Sequence, residues 1–172
     1  MMIMLEGELS FRRGCYAHAF ACLRTAVAAD DALPYDEPWG WMTPARHALG
    51  ALLLERAAAP TLPPAEAAVL LTEAEAVYRR DLQHHPNNLW ALTGLHDALK
   101  QRLARDAAGG DAALPSADPQ AEGAVGVAEP SEELADVVAR LERASAHSDV
   151  RVCHSCFCAG RGGGTGSDLG RP

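Results

Sequence analysis

β-Branched and aromatic residues are scarce in this sequence of 172 residues. Val and Ile together number 10 and aromatic residues make up 5%, whereas Ala and Leu number 34 and 21. Strands favour Val, Ile and aromatic side chains, whereas Ala and Leu are among the strongest helix formers. The composition therefore argues against a β-sandwich or β-barrel and predicts an all-α fold.

Long apolar runs and an excess of positive charge are also missing. No run reaches the roughly 18–20 apolar residues that cross a bilayer, and residues 1–13 lack the apolar centre of a signal peptide. The 15 basic side chains are outnumbered by 23 acidic ones, and the formal net charge of −8 disfavours nucleic acid and acidic membranes as partners. We therefore expect a soluble, cytoplasmic protein that binds neither nucleic acid nor membranes.

Known catalytic motifs are absent from the sequence as well. It contains no phosphate-binding loop, no GxSxG and no HExxH. The acidic pairs Asp30-Asp31 and Asp36-Glu37 have no nucleophile or metal-ligand set beside them that an enzyme would need. We therefore expect a non-enzymatic protein with no catalytic residue and no cofactor.

Helical patterns alternate with segments rich in Pro and Gly. Helices are predicted over residues 4–11, 15–30, 43–57, 65–85, 89–104 and 131–147, the last with Ser131 as its N-cap. Almost every residue between 105 and 130 is Ala, Gly, Pro, Asp or Glu, so this insert is predicted to be disordered. We divide the chain into helix pairs over 1–104 with an insert at about 57–68, the disordered insert 105–130, a last helix over 131–148, and a flexible Cys-containing, Gly-rich tail over 149–172.

The helices repeat at a regular spacing. Gly50 precedes Ala74 by 24 residues and His96 by 46 residues. Removing one 12-residue insert between the two helices of this pair leaves spacings of 12 and 34, which resemble those of the tetratricopeptide repeat. Further matches are Gly7 with Ala19, and Ala74-x3-Tyr78 followed by Pro86. The sequence departs from the repeat pattern where Arg46 replaces Trp and His96 replaces Gly.

The resemblance implies a right-handed α-solenoid of about three helix pairs. Residues 33–55 and 74–99, with the motifs YDEPWGW and SCFC, are similar to an uncharacterised family of bacterial, fungal and algal tetratricopeptide-like proteins. The likeness covers residues 6–103 and 131–159. Members usually carry more repeats upstream, so the chain resembles their C-terminal part. No activity is implied by this resemblance.

The first helix of each pair lines a concave face in such repeats, and we expect that face to bind a protein or peptide segment. The predicted partner-binding residues are Trp39, Trp41, Arg46, His47, Trp90 and His96. Two alternatives stay open: Trp39 and Trp41 fill a gap between repeats, and His47 and His96 pack in the core.

Five Cys make an odd set, and Cys153, Cys156 and Cys158 crowd the tail. A structural zinc site needs four ligands, and no second, well-placed Cys pair exists, so no metal site is predicted. Three interpretations remain: a metal site completed by His147 or His154, a redox pair, or a tail packed on the last helices. The alternative function is accordingly a small-ligand, metal or thiol-redox module, in which the YDEPWGW loop and the tail meet and Cys156 or Cys158 has a low pKa.

Overall fold

The computed structural model describes residues 2–34, 44–108, 130–156 and 158. These contain six α-helices and no strand, so the all-α prediction is confirmed for the described residues. The helices are α1 (Met2–Arg12), α2 (Tyr16–Asp31), α3 (Ala45–Ala57), α4 (Pro64–His84), α5 (Leu89–Ala108) and α6 (Pro130–Ser145). The YDEPWGW loop, most of the predicted disordered insert and residues 159–172 lie outside the described residues.

Local sequence signals account for some of the helix ends. Gly14, with φ +78°, makes the left-handed turn between α1 and α2, and Pro64 occupies the first turn of α4. The Oδ1 atom of Asn88 accepts hydrogen bonds from the main-chain N–H groups of Trp90 (3.0 Å) and Ala91 (3.4 Å), which caps α5. Ser131, the predicted cap of the last helix, lies inside α6 instead.

Each helix packs against the next one in chain order, and α3 also contacts α1 and α5. One face of α2 is buried, with Ala19, Leu23 and Ala26 fully inaccessible. Every residue of α3 from Ala45 to Leu54 is buried, so this helix is covered on all sides. Among the described helices, none has an apolar stretch long enough to cross a membrane.

Tyr78 of α4 lies at the centre of the core, between two glycines. A Cβ atom built on Gly50 of α3 would lie 2.5 Å from Cζ of Tyr78, and one on Gly94 of α5 would lie 2.1 Å from the same atom. The ring therefore fills the space that both glycines leave free. The glycine of α5 that allows this close approach is Gly94. It lies two residues before His96, the residue aligned with the Gly of the repeat pattern in the sequence.

Candidate functional site

The C-terminal segment, residues 151–156 and 158 of the described chain, reaches the side of the fold formed by α1, α3 and α5, here called the odd-helix face, through Ser155 and Cys158. Ser155 is 4% exposed, and its hydroxyl lies 2.5 Å from the hydroxyl of Tyr78, between the glycines of α3 and α5. Arg12 of α1 donates a hydrogen bond to the main-chain carbonyl of Cys158. Cys156 and Cys158 pack against the core. The segment is thus held by a buried hydroxyl pair and by a guanidinium–carbonyl contact.

Arg12 joins three parts of this site. Its guanidinium also forms a bidentate ion pair with Glu55 of α3, with N–O distances of 2.5 and 3.1 Å. The hydrogen bond that Arg12 donates to Glu55 raises the pKa of Arg12, so the group stays charged. Because its contact with the segment is made to main chain, Arg12 holds the backbone of Cys158 without selecting a side chain.

Burial raises the pKa of Tyr78 well above its ordinary value, so the hydroxyl stays protonated. It can therefore donate to Ser155 or accept from it. In either case the pair satisfies two polar groups that would otherwise be buried without a partner, which is costly in an apolar interior.

The two half-buried thiols of the segment interact with each other. The main-chain N–H of Cys158 donates to the Sγ atom of Cys156 over 3.2 Å. A hydrogen bond from the Cys158 thiol lowers the pKa of Cys156 against the effect of burial, and the same bond, aided by burial, raises the pKa of Cys158. Cys156 is therefore the first of the two to ionise. Cys153 is exposed, and within the described residues these three thiols belong to no group of three potential metal ligands.

The predicted partner-binding residues occupy different environments. Arg46 is 8% exposed and its guanidinium lies 2.5 Å from a carboxylate oxygen of Asp31. His96 is half-buried, with Nδ1 2.9 Å from Oδ1 of Asp97, and Trp90 is half-buried as well. Trp39 and Trp41 lie outside the described residues.

His47 takes part in a polar cluster with buried Asp81 and half-buried Asn88. Its Nε2 atom lies 3.2 Å from Oδ2 of Asp81, and the Asn88 amide donates to the same oxygen over 3.2 Å. The cluster connects α3, α4 and the start of α5. Arg46 and His47 are therefore both buried and engaged by internal partners, and their role in partner binding stays a prediction.

A charged network between α4, α5 and α6 has almost no signal in the sequence. Glu75 is 1% exposed and accepts a hydrogen bond from Arg79 (2.8 Å), while Arg102 Nε lies 3.1 Å from its other oxygen. Arg79 also forms a bidentate ion pair with Glu133, with both N–O distances at 2.7 Å. Only the spacing of Glu75 and Arg79, four residues apart on one helix, signals part of this network in the sequence.

The kinship with tetratricopeptide repeats stays a prediction. A comparison with protein-family models, with curated protein sequences and with solved structures finds no match for this chain. The function of the site must therefore be inferred from its own residues. These belong to the odd-helix face, to the C-terminal segment and to the polar groups that join the two.

Proposed function

We propose that this chain is a tetratricopeptide-like, right-handed solenoid that binds an extended protein segment on its odd-helix face. In this proposal the C-terminal segment is a tethered occupant of the face, which a partner segment displaces. Two contacts of the C-terminal segment carry the proposal. The buried hydroxyl of Ser155 is hydrogen-bonded to that of Tyr78, and Arg12 donates a hydrogen bond to the main-chain carbonyl of Cys158. The protein has no catalytic role in this proposal.

The pattern of helix contacts supports a curved stack. The backbones of α1 and α3 approach each other, as do those of α3 and α5, whereas α2 and α4, and α4 and α6, do not approach as closely within the described residues. Long side chains bridge these wider gaps: Arg24 pairs with Glu73 between α2 and α4, and Arg79 pairs with Glu133 between α4 and α6. This is the arrangement expected when the odd-numbered helices lie on the inside of a curve.

The contacts made by the C-terminal segment support peptide binding. A guanidinium that donates to a main-chain carbonyl serves any extended chain, and a buried hydroxyl in the floor of the face provides one polar anchor point. Backbone contacts supply affinity and side-chain pockets supply selectivity in peptide recognition. The odd-helix face therefore offers one backbone contact, from Arg12, and one side-chain contact, at the Tyr78 hydroxyl.

A labelled peptide tests this proposal. We expect the peptide of residues 150–158, added under reducing conditions, to bind the Ser155→Arg chain at least about tenfold more tightly than the native chain, because a tethered ligand competes at millimolar effective concentration. Arginine is too large for the buried position of Ser155, so the variant displaces its own segment. Fluorescence anisotropy of the labelled peptide measures both affinities.

The neighbouring arginines provide the control for this experiment. In the Ser155→Arg background, Arg12→Ala is expected to weaken peptide binding, whereas Arg13→Ala, at an exposed position one residue along, is expected to leave it unchanged. Equal peptide affinity for the native and Ser155→Arg chains would show that the segment is a permanent part of the core and would refute the tethered-occupant proposal.

The hydrogen bonds at Cys156 favour a second candidate function, a thiol module in the C-terminal segment. A thiolate is the reactive form of Cys, and Cys156 is stabilised as a thiolate by two donors from Cys158, its main-chain N–H and its thiol. The YDEPWGW loop, the other half of the predicted module, lies outside the described residues.

Replacing the thiol donor is expected to shift the reactivity of Cys156. Cys158→Ala keeps the main-chain N–H but removes the S–H donor, so the pKa of Cys156 rises and its alkylation by iodoacetamide begins at higher pH. Cys158→Ser keeps a side-chain donor and should retain a lowered pKa. The rate of Cys156 alkylation, followed by mass spectrometry across a range of pH, measures the shift in its pKa. Identical profiles for all three chains would remove this candidate.

A further inference from the structure

A separate cluster of potential metal ligands lies where α1 packs on α2. The Oε1 atom of Glu6 is 2.9 Å from Nε2 of His18, and Sγ of Cys22 is 3.5 Å from the same nitrogen. All three ligand atoms lie within 4.8 Å of one another. Glu6 and His18 are exposed and Cys22 is half-buried, so the cluster opens to solvent.

The packing of the two helices fixes the position of this cluster. Each of the three residues immediately precedes a residue of the helix contact, namely Gly7, Ala19 and Leu23. A Cβ atom on Gly7 would lie 2.8 Å from Cγ of Leu23 and 3.1 Å from the carbonyl oxygen of Ala19, so the helices meet closely at this point. The ligand side chains therefore project from two rigid elements at the edge of a tight contact, and His18 and Cys22 are one helical turn apart.

The spacing and chemistry of the cluster suit zinc. A tetrahedral Zn²⁺ ion with bonds of about 2.0–2.3 Å holds its ligand atoms about 3.3–3.8 Å apart. His18 Nε2 lies 2.9 and 3.5 Å from the other two ligand atoms, and all three atoms lie within 4.8 Å of one another. Imidazole and thiolate select Zn²⁺ over Mg²⁺ and Ca²⁺, which prefer oxygen ligands. One carboxylate and one thiolate also balance the two positive charges of the ion.

We propose that Glu6, His18 and Cys22 form a Zn²⁺ site whose fourth ligand is water. On binding, the Cys22 thiol releases its proton to solvent and a Zn–S bond forms, with no change in oxidation state. Three protein ligands and one open position make this an exchangeable site, unlike the closed four-ligand sites that hold a fold together. The proposal is independent of the function assigned to the odd-helix face.

Metal titration of the 172-residue chain tests the site. The Cys153→Ser, Cys156→Ser and Cys158→Ser changes are combined first, so that the tail thiols cannot contribute. We expect this metal-free protein to bind one equivalent of Co²⁺ with the charge-transfer absorption of a cobalt–thiolate bond, and Zn²⁺ to displace the Co²⁺.

Single substitutions in that background assign the ligands. Glu6→Gln, His18→Ala and Cys22→Ser are each expected to weaken Zn²⁺ binding about tenfold or more, since loss of even an outer contact costs about that much. Cys15→Ser, at an exposed cysteine beside the same helix, is the matched control and should change neither affinity nor spectrum. Circular dichroism checks that helix content is unchanged.

Three results would overturn the proposal. They are no binding of one equivalent in the background protein, full Zn²⁺ affinity retained in both His18→Ala and Cys22→Ser, and a cobalt–thiolate band that depends on Cys15 instead of Cys22. Unchanged helix content with lost binding in all three ligand variants would support it.

Discussion

Gly94→Ala is expected to destabilise this protein by about 3 kcal/mol, because an added methyl group overlaps a ring that has no free space to move into. The new Cβ atom would lie 2.1 Å from Cζ of Tyr78, and a Cβ atom on Gly50 would lie 2.5 Å from the same atom. In an ordinary helix interior, Gly→Ala stabilises the protein by about 1 kcal/mol. A loss of stability would therefore indicate overlap of the new methyl group with the Tyr78 ring. Urea unfolding followed by circular dichroism measures the change.

A double substitution separates steric overlap from other causes. Tyr78→Leu removes the ring, so Gly94→Ala should cost far less in the Tyr78→Leu background than in the native chain. Residues in contact commonly show coupling of about 0.5–3 kcal/mol, and we expect a value near the upper end for this pair. Additive effects of the two substitutions would contradict the packing described for Tyr78.

Asp81→Ala is expected to cost about 2–3 kcal/mol, because it removes the buried acceptor shared by buried His47 and half-buried Asn88. Asp81 is 2% exposed, and its carboxylate meets both His47 and Asn88. Asn88 caps α5, so the loss also weakens the start of that helix. The free energy of unfolding from urea titration at neutral pH measures this effect.

A second His–Asp pair in the same chain provides the matched control. Asp97 pairs with His96 at 2.9 Å, but its side chain is 41% exposed, so Asp97→Ala should cost less than about 1 kcal/mol. Equal losses for the Asp81 and Asp97 variants would mean that burial of the His47–Asp81 pair does not determine its contribution.

The helices were predictable because their signals are local. The stripe of Ala19, Leu23 and Ala26, the proline at the start of α4 and the turn before α5 are each encoded within a few residues. The sequence predicts that α5 ends at residue 104, four residues before its actual end at Ala108, because the helix continues into a segment whose composition is otherwise that of a loop.

The site was far less predictable because its contacts join distant parts of the chain. The contacts His47–Asp81, Tyr78–Ser155 and Arg12–Cys158 span 34, 77 and 146 residues. No periodicity reveals such partners, and a charged or imidazole side chain on a helix looks the same in sequence whether it meets a partner protein or a buried carboxylate. In contrast, Trp90-x2-Thr93-Gly94 resembles the W-x2-L-G pattern that opens a tetratricopeptide repeat. This spacing identifies Gly94 as the close-packing residue from the sequence alone.

The bidentate Arg–Glu pairs also bear on how the helices find their correct alignment. Interfaces built largely from Ala and Leu are smooth, and by shape alone they tolerate sliding of one helix along another. Arg12–Glu55, Arg24–Glu73 and Arg79–Glu133 each connect one helix pair to the next. Sliding by one helical turn, about 5.4 Å, would pull every such pair apart. These ion pairs therefore select one register of each helix against its neighbour. The apolar residues alone would leave several registers nearly equal in energy.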